Sequence, residues 1–427
     1  MILIYSTTPS NRLRYTLNVI FKHILKVNYS LVDINTFTNN TTAPRINYST
    51  KKLDNCMTIK PHTLLFEKDI KTQEITVEWE NEIPYFFNKD VFASTFFMVS
   101  RYEEYLPSEL DVHQRYKAES SAAFKHNFLE FPVVNWWALA LKKTLLKQQA
   151  AFTFPTTSYQ FMNSLDIDIA YSYKGKSWLR LMSSTAKAML TMDTEDLKNR
   201  FNYFIKKQPD PYDVYEKINT LKDKNKATTI YFFLLGNYAT YDKNLSHNSK
   251  PYQKLIRQTS NDNAVGIHPS YLSNNKSQLK TEIERLNKIT NKTTTKSRQH
   301  FLKLTFPSTY ENLLEQGIKE DYTMGYAARV GFRAGICCKY PFFNVVSDEE
   351  SSLYIVPFQI MDGTLNEYLQ LNPAAAITKI EQIITEVKKV NGTFVSLWHN
   401  SSLSGCNHWK SWEKVYEKLL NFAKEDV

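Results

Sequence analysis

Two carboxylates set two residues apart mark the stretch most able to do chemistry: Asp166 and Asp168, in the run Asn163-Ser164-Leu165-Asp166-Ile167-Asp168-Ile169-Ala170. If the run is a strand, both lie on one face about 7 Å apart, and Leu165, Ile167 and Ile169 fill the other. Burying two like charges on one face is costly unless an arginine, a lysine or a metal partners them. The alternative is an edge strand with solvated aspartates. Two histidines close apolar runs further on: His268 in Ala264-Val265-Gly266-Ile267-His268, and His399 in Phe394-Val395-Ser396-Leu397-Trp398-His399. A lone histidine in such a place is usually structural. Aspartates and histidines together at strand ends form a donor set for metal binding or acid–base work.

The elements that must hold these residues alternate from about residue 151. Strands are expected over 159–169, 228–235, 265–268, 301–304, 353–360 and 393–399, with helices over 278–289, 309–317, 374–390 and 409–424. About six βα units fit a distorted (β/α) barrel of six or seven strands, whose functional groups gather at the C-terminal strand ends. The segment 274–297, rich in Asn, Lys and Thr, reads as a solvated helix and loop. With 427 residues the chain is long for one core. A smaller α/β domain over 1–150 is therefore expected before a barrel over 151–427. In the first part, a strand over 1–5, a helix over 12–26, short strands over 30–34, 64–67 and 75–80, and helices over 91–106 and 132–146 follow from periodicity. His113 and Arg115 there could touch a ligand or serve as ordinary surface residues.

Composition narrows the classes. The chain is 42% hydrophobic and 14% aromatic, which suits packed globular domains rather than disorder. Its net charge is +10, but the lysines are scattered through loops, so an anionic partner is a better expectation than nucleic acid. The four cysteines, Cys56, Cys337, Cys338 and Cys406, form no C-x-x-C, which disfavours a cysteine zinc site. Met1 to Ser6 is too short for a signal-peptide core, and no run reaches the ~18 apolar residues of a membrane span. A cytoplasmic protein with no integral membrane segment is expected.

Five motifs then stand in order: Asp166-x-Asp168, Gly266-Ile267-His268, Arg298-Gln299-His300-Phe301, Asp321-Tyr322-Thr323-Met324-Gly325-Tyr326 and Leu397-Trp398-His399. Together they resemble the polysaccharide deacetylases of the NodB-homology, carbohydrate esterase family 4 type. The run Phe96-Phe97-Met98-Val99-Ser100-Arg101-Tyr102-Glu103-Glu104-Tyr105 is similar to part of the extra N-terminal domain of Bacteroidetes-type members. The resemblance implies a metal-dependent hydrolase that removes N-acetyl groups from a sugar or glycoconjugate. It implies Asp166 as general base, Arg298 as the residue that holds the base, His399 as general acid, and Asp168 and His268 as ligands of a divalent metal, usually zinc. The family's second metal histidine falls at Leu272 here, so His300 is the candidate for the third ligand.

The chemistry needs these residue types. An amide carbonyl is a poor electrophile and water a poor nucleophile, and a metal with an open position improves both. A histidine suits protonation of the departing amine. Arg333, in Gly331-Phe332-Arg333-Ala334-Gly335, could read a phosphate or carboxylate on the substrate, or sit in a structural ion pair. Tyr271, Tyr326 and Trp398 could stack on a sugar ring or pack in the core. Leu272 leaves open a non-catalytic carbohydrate-binding protein on a degenerate barrel. A glycosidase is disfavoured, because neighbouring carboxylates on one strand are poorly placed to flank a glycosidic bond.

Overall fold

The computed structural model describes residues 1–273 and 275–424. Asn274, which begins the segment expected as helix and loop, and residues 425–427 lie outside the described residues. The first strand, β1 (Ile2–Ser6), is buried at every position, as an apolar run covered on both faces should be. It pairs in parallel with β2 (Tyr29–Val32) and β3 (Arg45–Tyr48), and β3 with β4 (Met57–Ile59), in the order β2-β1-β3-β4. The expected strand over 64–67 is instead a short 3-10 turn, Thr63–Leu65. A hairpin of β5 (Glu78–Glu80) and β6 (Ile83–Tyr85) precedes the helix Val91–Val99. Asp90 caps that helix by accepting from the backbone N–H groups of Phe92 and Ala93.

The rest of the chain forms one nine-stranded sheet. Its strands are β7 (Gln160–Ile167), β8 (Thr228–Phe233), β9 (Ala264–Ile267), β10 (Lys296–Ser297), β11 (Glu320–Asp321), β12 (Tyr340–Asn344), β13 (Glu349–Ile355), β14 (Ile360–Met361) and β15 (Thr393–His399). Their order is β12-β13-β11-β10-β9-β8-β7-β15-β14, parallel throughout except between β12 and β13. The α/β class is as expected, and the sheet has nine strands where six or seven were expected. Among the described residues no hydrogen-bonded pair joins the two ends of the sheet. The chain itself spans the gap, running from β13 through residues 356–359 into β14. The sheet curls about a small apolar core in which Ile230 and Phe232 of β8 meet Val356, Phe358, Val395 and Leu397. Residues expected as one strand over 353–360 are thus split, because the chain changes neighbours at Val356. The strand expected over 301–304 is a 3-10 turn, His300–Leu302, which follows the two-residue strand β10.

The two parts share one continuous apolar core. A buried ionic network also joins them. Arg101 donates to Glu103 and Glu104 and to the Tyr326 hydroxyl, and Arg333 forks onto both oxygens of Glu104. The run Arg101 to Glu104 therefore works as a joint between the parts.

Candidate active site

Strand β7 delivers both aspartates. Its alternation sends Leu165 and Ile167 outward into the main core and turns Asp166 inward, where the parallel register sets it beside His399 of β15 and Phe232 of β8. Asp166 is buried, and its Oδ1 accepts from an Arg298 guanidinium nitrogen at 2.9 Å. Arg298 is itself fully buried, donates through Nε to the Tyr322 carbonyl at 2.9 Å and lies over the Phe232 ring. Held on three sides, it fixes the direction of the Asp166 carboxylate. Gly266 permits the close approach of β9 and β10 here, since a Cβ would lie 2.6 Å from the Phe232 ring and 2.7 Å from the Lys296 carbonyl.

Asp168, one residue past the end of β7, faces three imidazoles. Its carboxylate oxygens lie 3.1 Å from His268 Nε2, 3.5 Å from His300 Nε2 and 3.7 Å from His399 Nε2. In each ring the other nitrogen is taken by an acceptor: the Arg298 carbonyl at 2.5 Å for His268, Asp242 at 2.9 Å for His300 and Asp362 at 2.8 Å for His399. A carbonyl or carboxylate can only accept, so each Nδ1 carries the proton it donates. Each Nε2 is then left facing Asp168, with a proton or with a lone pair. His300 gains its position from a sharp turn: Phe301 and Leu302 both take left-handed backbone, at φ 58° and 55°. Such strain costs about 1 kcal/mol or more per residue, and it recurs at functional sites.

The donor set fits a divalent cation. One oxygen of Asp168 and one nitrogen each of His268 and His300 lie within 4.8 Å of one another. Asp168 Oδ1 is buried and makes no hydrogen bond, although His268 Nε2 is close by. Imidazoles held through Nδ1 by carboxylate or carbonyl are also the usual support of metal-binding histidines. The electrostatics point the same way. Burial opposes ionisation of Asp168, yet His300 and His399 hold it well below the usual carboxylate range. Burial also works against charge on the two rings, but Asp168 and Asp242 push His300 up to about 9, and Asp362 and Asp168 push His399 up to about 10. A field that holds protons on these rings also attracts a cation.

The cluster floors a cleft of about 230 Å³. Its walls include Arg115, Gln299, Phe301, Tyr368 and Trp409, with the His399 ring about one-fifth exposed toward it. Arg115, reaching in from the first 150 residues, is clamped by Asp111, the Phe301 carbonyl and the Tyr368 hydroxyl. Tyr271 stands at the edge of this region, 4.3 Å between ring centres from Tyr241 and within 3.3 Å of His113 Nδ1.

Three expected substrate contacts are corrected. Trp398 is completely buried, packed on Trp412 and Tyr416 away from the cleft, because it points opposite to Leu397 on β15. Tyr326 and Arg333 belong to the buried ionic joint with Arg101 and Glu104, so neither is free to meet a ligand. Leu272 is 58% exposed and takes no part in the cluster. Sequence reasoning missed Asp242 and Asp362. Asp362 directly follows strand β14, a position that could have drawn notice; Asp242 sits in an irregular loop with no such signal.

A family of unknown function, DUF7033, matches residues 2–151. No curated protein matches the chain. Among solved structures, a Mycobacterium smegmatis protein described as a polysaccharide deacetylase is similar at 12% identity, with 63% of this chain and 86% of that one covered and a TM-score of 0.39. A Bacillus cereus polysaccharide deacetylase is similar at 14% identity, covering 62% and 87%, with a TM-score of 0.29. An allantoinase is similar at 10% identity, covering 63% and 85%, with a TM-score of 0.39. Likeness this loose carries nothing about chemistry.

Proposed function

We propose that this protein is a metal-dependent hydrolase that removes N-acetyl groups from a sugar or glycoconjugate. The observation that supports this reading is the convergence of Asp168 with three Nδ1-anchored histidines beside an arginine-held aspartate. Asp168, His268 and His300 would hold a divalent cation, zinc being suited to one oxygen and two nitrogens. When bound, it would supply Lewis acidity to the amide carbonyl and to water. Asp166 takes the proton of the attacking water, with Arg298 fixing the carboxylate's direction. As the new C–O bond forms and the C–N bond breaks, His399 gives its Nε2 proton to the departing amine. Asp362 holds that ring through both Nδ1 and the backbone N–H of His399. Products are acetate and a free amino sugar. Residues 1–150 lend Arg115 to the cleft.

Acetate release from a panel of N-acetylated mono- and oligosaccharides tests this. Wild-type protein should release acetate, while Asp166→Asn should lose turnover and keep its metal and its fold. Loss of metal together with activity in that variant would refute the separation of base from ligand. Release of reducing sugar without acetate would refute the reaction class.

A further inference from the structure

Between β7 and β8 the chain makes an excursion through two helices, Trp178–Leu190 and Thr194–Phe204, whose apolar residues face the wrong way for a core. On the first, Trp178, Leu179, Met182, Met189 and Leu190 are all more than 60% exposed, and Ala188 alone is buried. Their spacing places them on one helical face. Phe201, Phe204 and Ile205 extend the exposed apolar surface along the second helix and just past its end. Around it, residues 174–207 carry eight basic side chains against three acidic ones. Lys187, Lys198, Lys206 and Lys207 are exposed and enter no ion pair among the described residues.

We propose that this helical pair is a docking surface for an anionic lipid bilayer, lying in the plane of the headgroups. Exposed Trp, Leu, Met, Phe and Ile beside unpaired lysines is the chemistry of an interfacial helix, the apolar face entering the acyl boundary and the lysines meeting acidic headgroups. No helix among the described residues is long and apolar enough to cross a membrane, so the contact would be peripheral. A second copy of the chain is a poorer occupant, because a two-fold contact would press two patches of the same positive charge together. The opposite face of the second helix adjoins the cleft. Glu195 on the second helix accepts from the Asn407 backbone N–H and pairs with Lys410, and Trp409 between them lines the cleft. Docking would therefore set the rim of the cleft about one helix diameter, roughly 10 Å, above the headgroup layer, and on the deacetylase reading its substrate would be a lipid-borne glycoconjugate.

Sedimentation of the full-length protein with phosphatidylcholine vesicles, with and without phosphatidylglycerol, tests the docking. Binding should require the anionic lipid. Replacing Trp178, Met182, Met189 and Leu190 together by serine should weaken it about a hundredfold or more. Each of Lys187→Glu and Lys198→Glu should weaken it about fivefold or more at low salt. These side chains are exposed, so the variants should keep the wild-type melting temperature and the wild-type rate on a soluble N-acetyl sugar. Failure to bind anionic vesicles, or equal binding by the serine variant, would overturn the proposal. So would a wild-type dimer that the serine variant abolishes. Vesicle binding without acetate release from any substrate would sink the deacetylase reading and leave the docking standing.

Discussion

Replacing Asp242 by alanine probes the cation site through a residue that never touches the cation. Asp242 Oδ1 accepts from His300 Nδ1 at 2.9 Å and from the Tyr271 backbone N–H at 3.0 Å, and the side chain is almost fully buried. The variant would lose a charge-assisted hydrogen bond to the ring and leave a backbone donor without its acceptor. Such a bond is worth about 1.5–3 kcal/mol, which corresponds to roughly 10- to 100-fold in affinity. That agrees with the usual cost of removing a carboxylate behind a metal-binding histidine. Zinc affinity, measured by competition with a chromophoric chelator on metal-stripped protein, should fall by that factor for Asp242→Ala. It should fall further for His300→Ala and stay unchanged for the exposed Leu272→Ala. A Kd unaltered in Asp242→Ala, with the fold intact, would show that His300 does not hold the metal through Nε2.

Three other outcomes follow from the geometry. His399→Ala should lower turnover by about two to four orders of magnitude with little change in metal content, and an unchanged rate would make His399 structural. Arg333→Leu should cost about 2 kcal/mol in urea unfolding, because it removes one of the two arginines that hold Glu104 and leaves Oε2 without its donor in the buried joint, Arg101 still holding Oε1; a loss below about 0.5 kcal/mol would contradict that role. Burial alone would raise the carboxyl of Glu320, but Lys296, Lys339 and the Tyr322 hydroxyl hold it at about 2. Its folded pKa lies below its unfolded value, so its contribution is complete above about pH 4.5 and fades as pH falls toward 2. After solvent screening this is about 1 kcal/mol, seen as a stability gap between wild type and Glu320→Gln that narrows below about pH 4.5.

The parts of the site that could be read from sequence are those carried by regular strands. Asp166, Asp168, His268 and His399 each end or directly follow an apolar run that became a strand, so period-two alternation placed them at one sheet edge. The same alternation, followed one step further, would have turned Trp398 away, since it neighbours the inward-facing Leu397. His300 had no such support. It sits on a strained turn after a two-residue strand, and only the resemblance of its motif singled it out. Asp242 and Arg115 reach the cluster through loops, where spacing along the chain carries no information about distance. The open seam of the sheet was equally illegible, because closure depends on whether the first and last strands pair, and no local pattern records that. Arg333 and Tyr326 were misread because Glu103 and Glu104, more than two hundred residues away, claim the arginine network.

The central claim is that a cation held by Asp168, His268 and His300 is needed for N-deacetylation. The most direct measurement is a titration of metal-stripped protein with zinc, following bound metal and acetate release together. Activity should rise in proportion to occupancy and saturate at one zinc per chain, and His300→Ala should lose both at the same zinc concentration. Full activity in the stripped protein, or one tightly bound zinc retained by a protein lacking His300, would contradict the account.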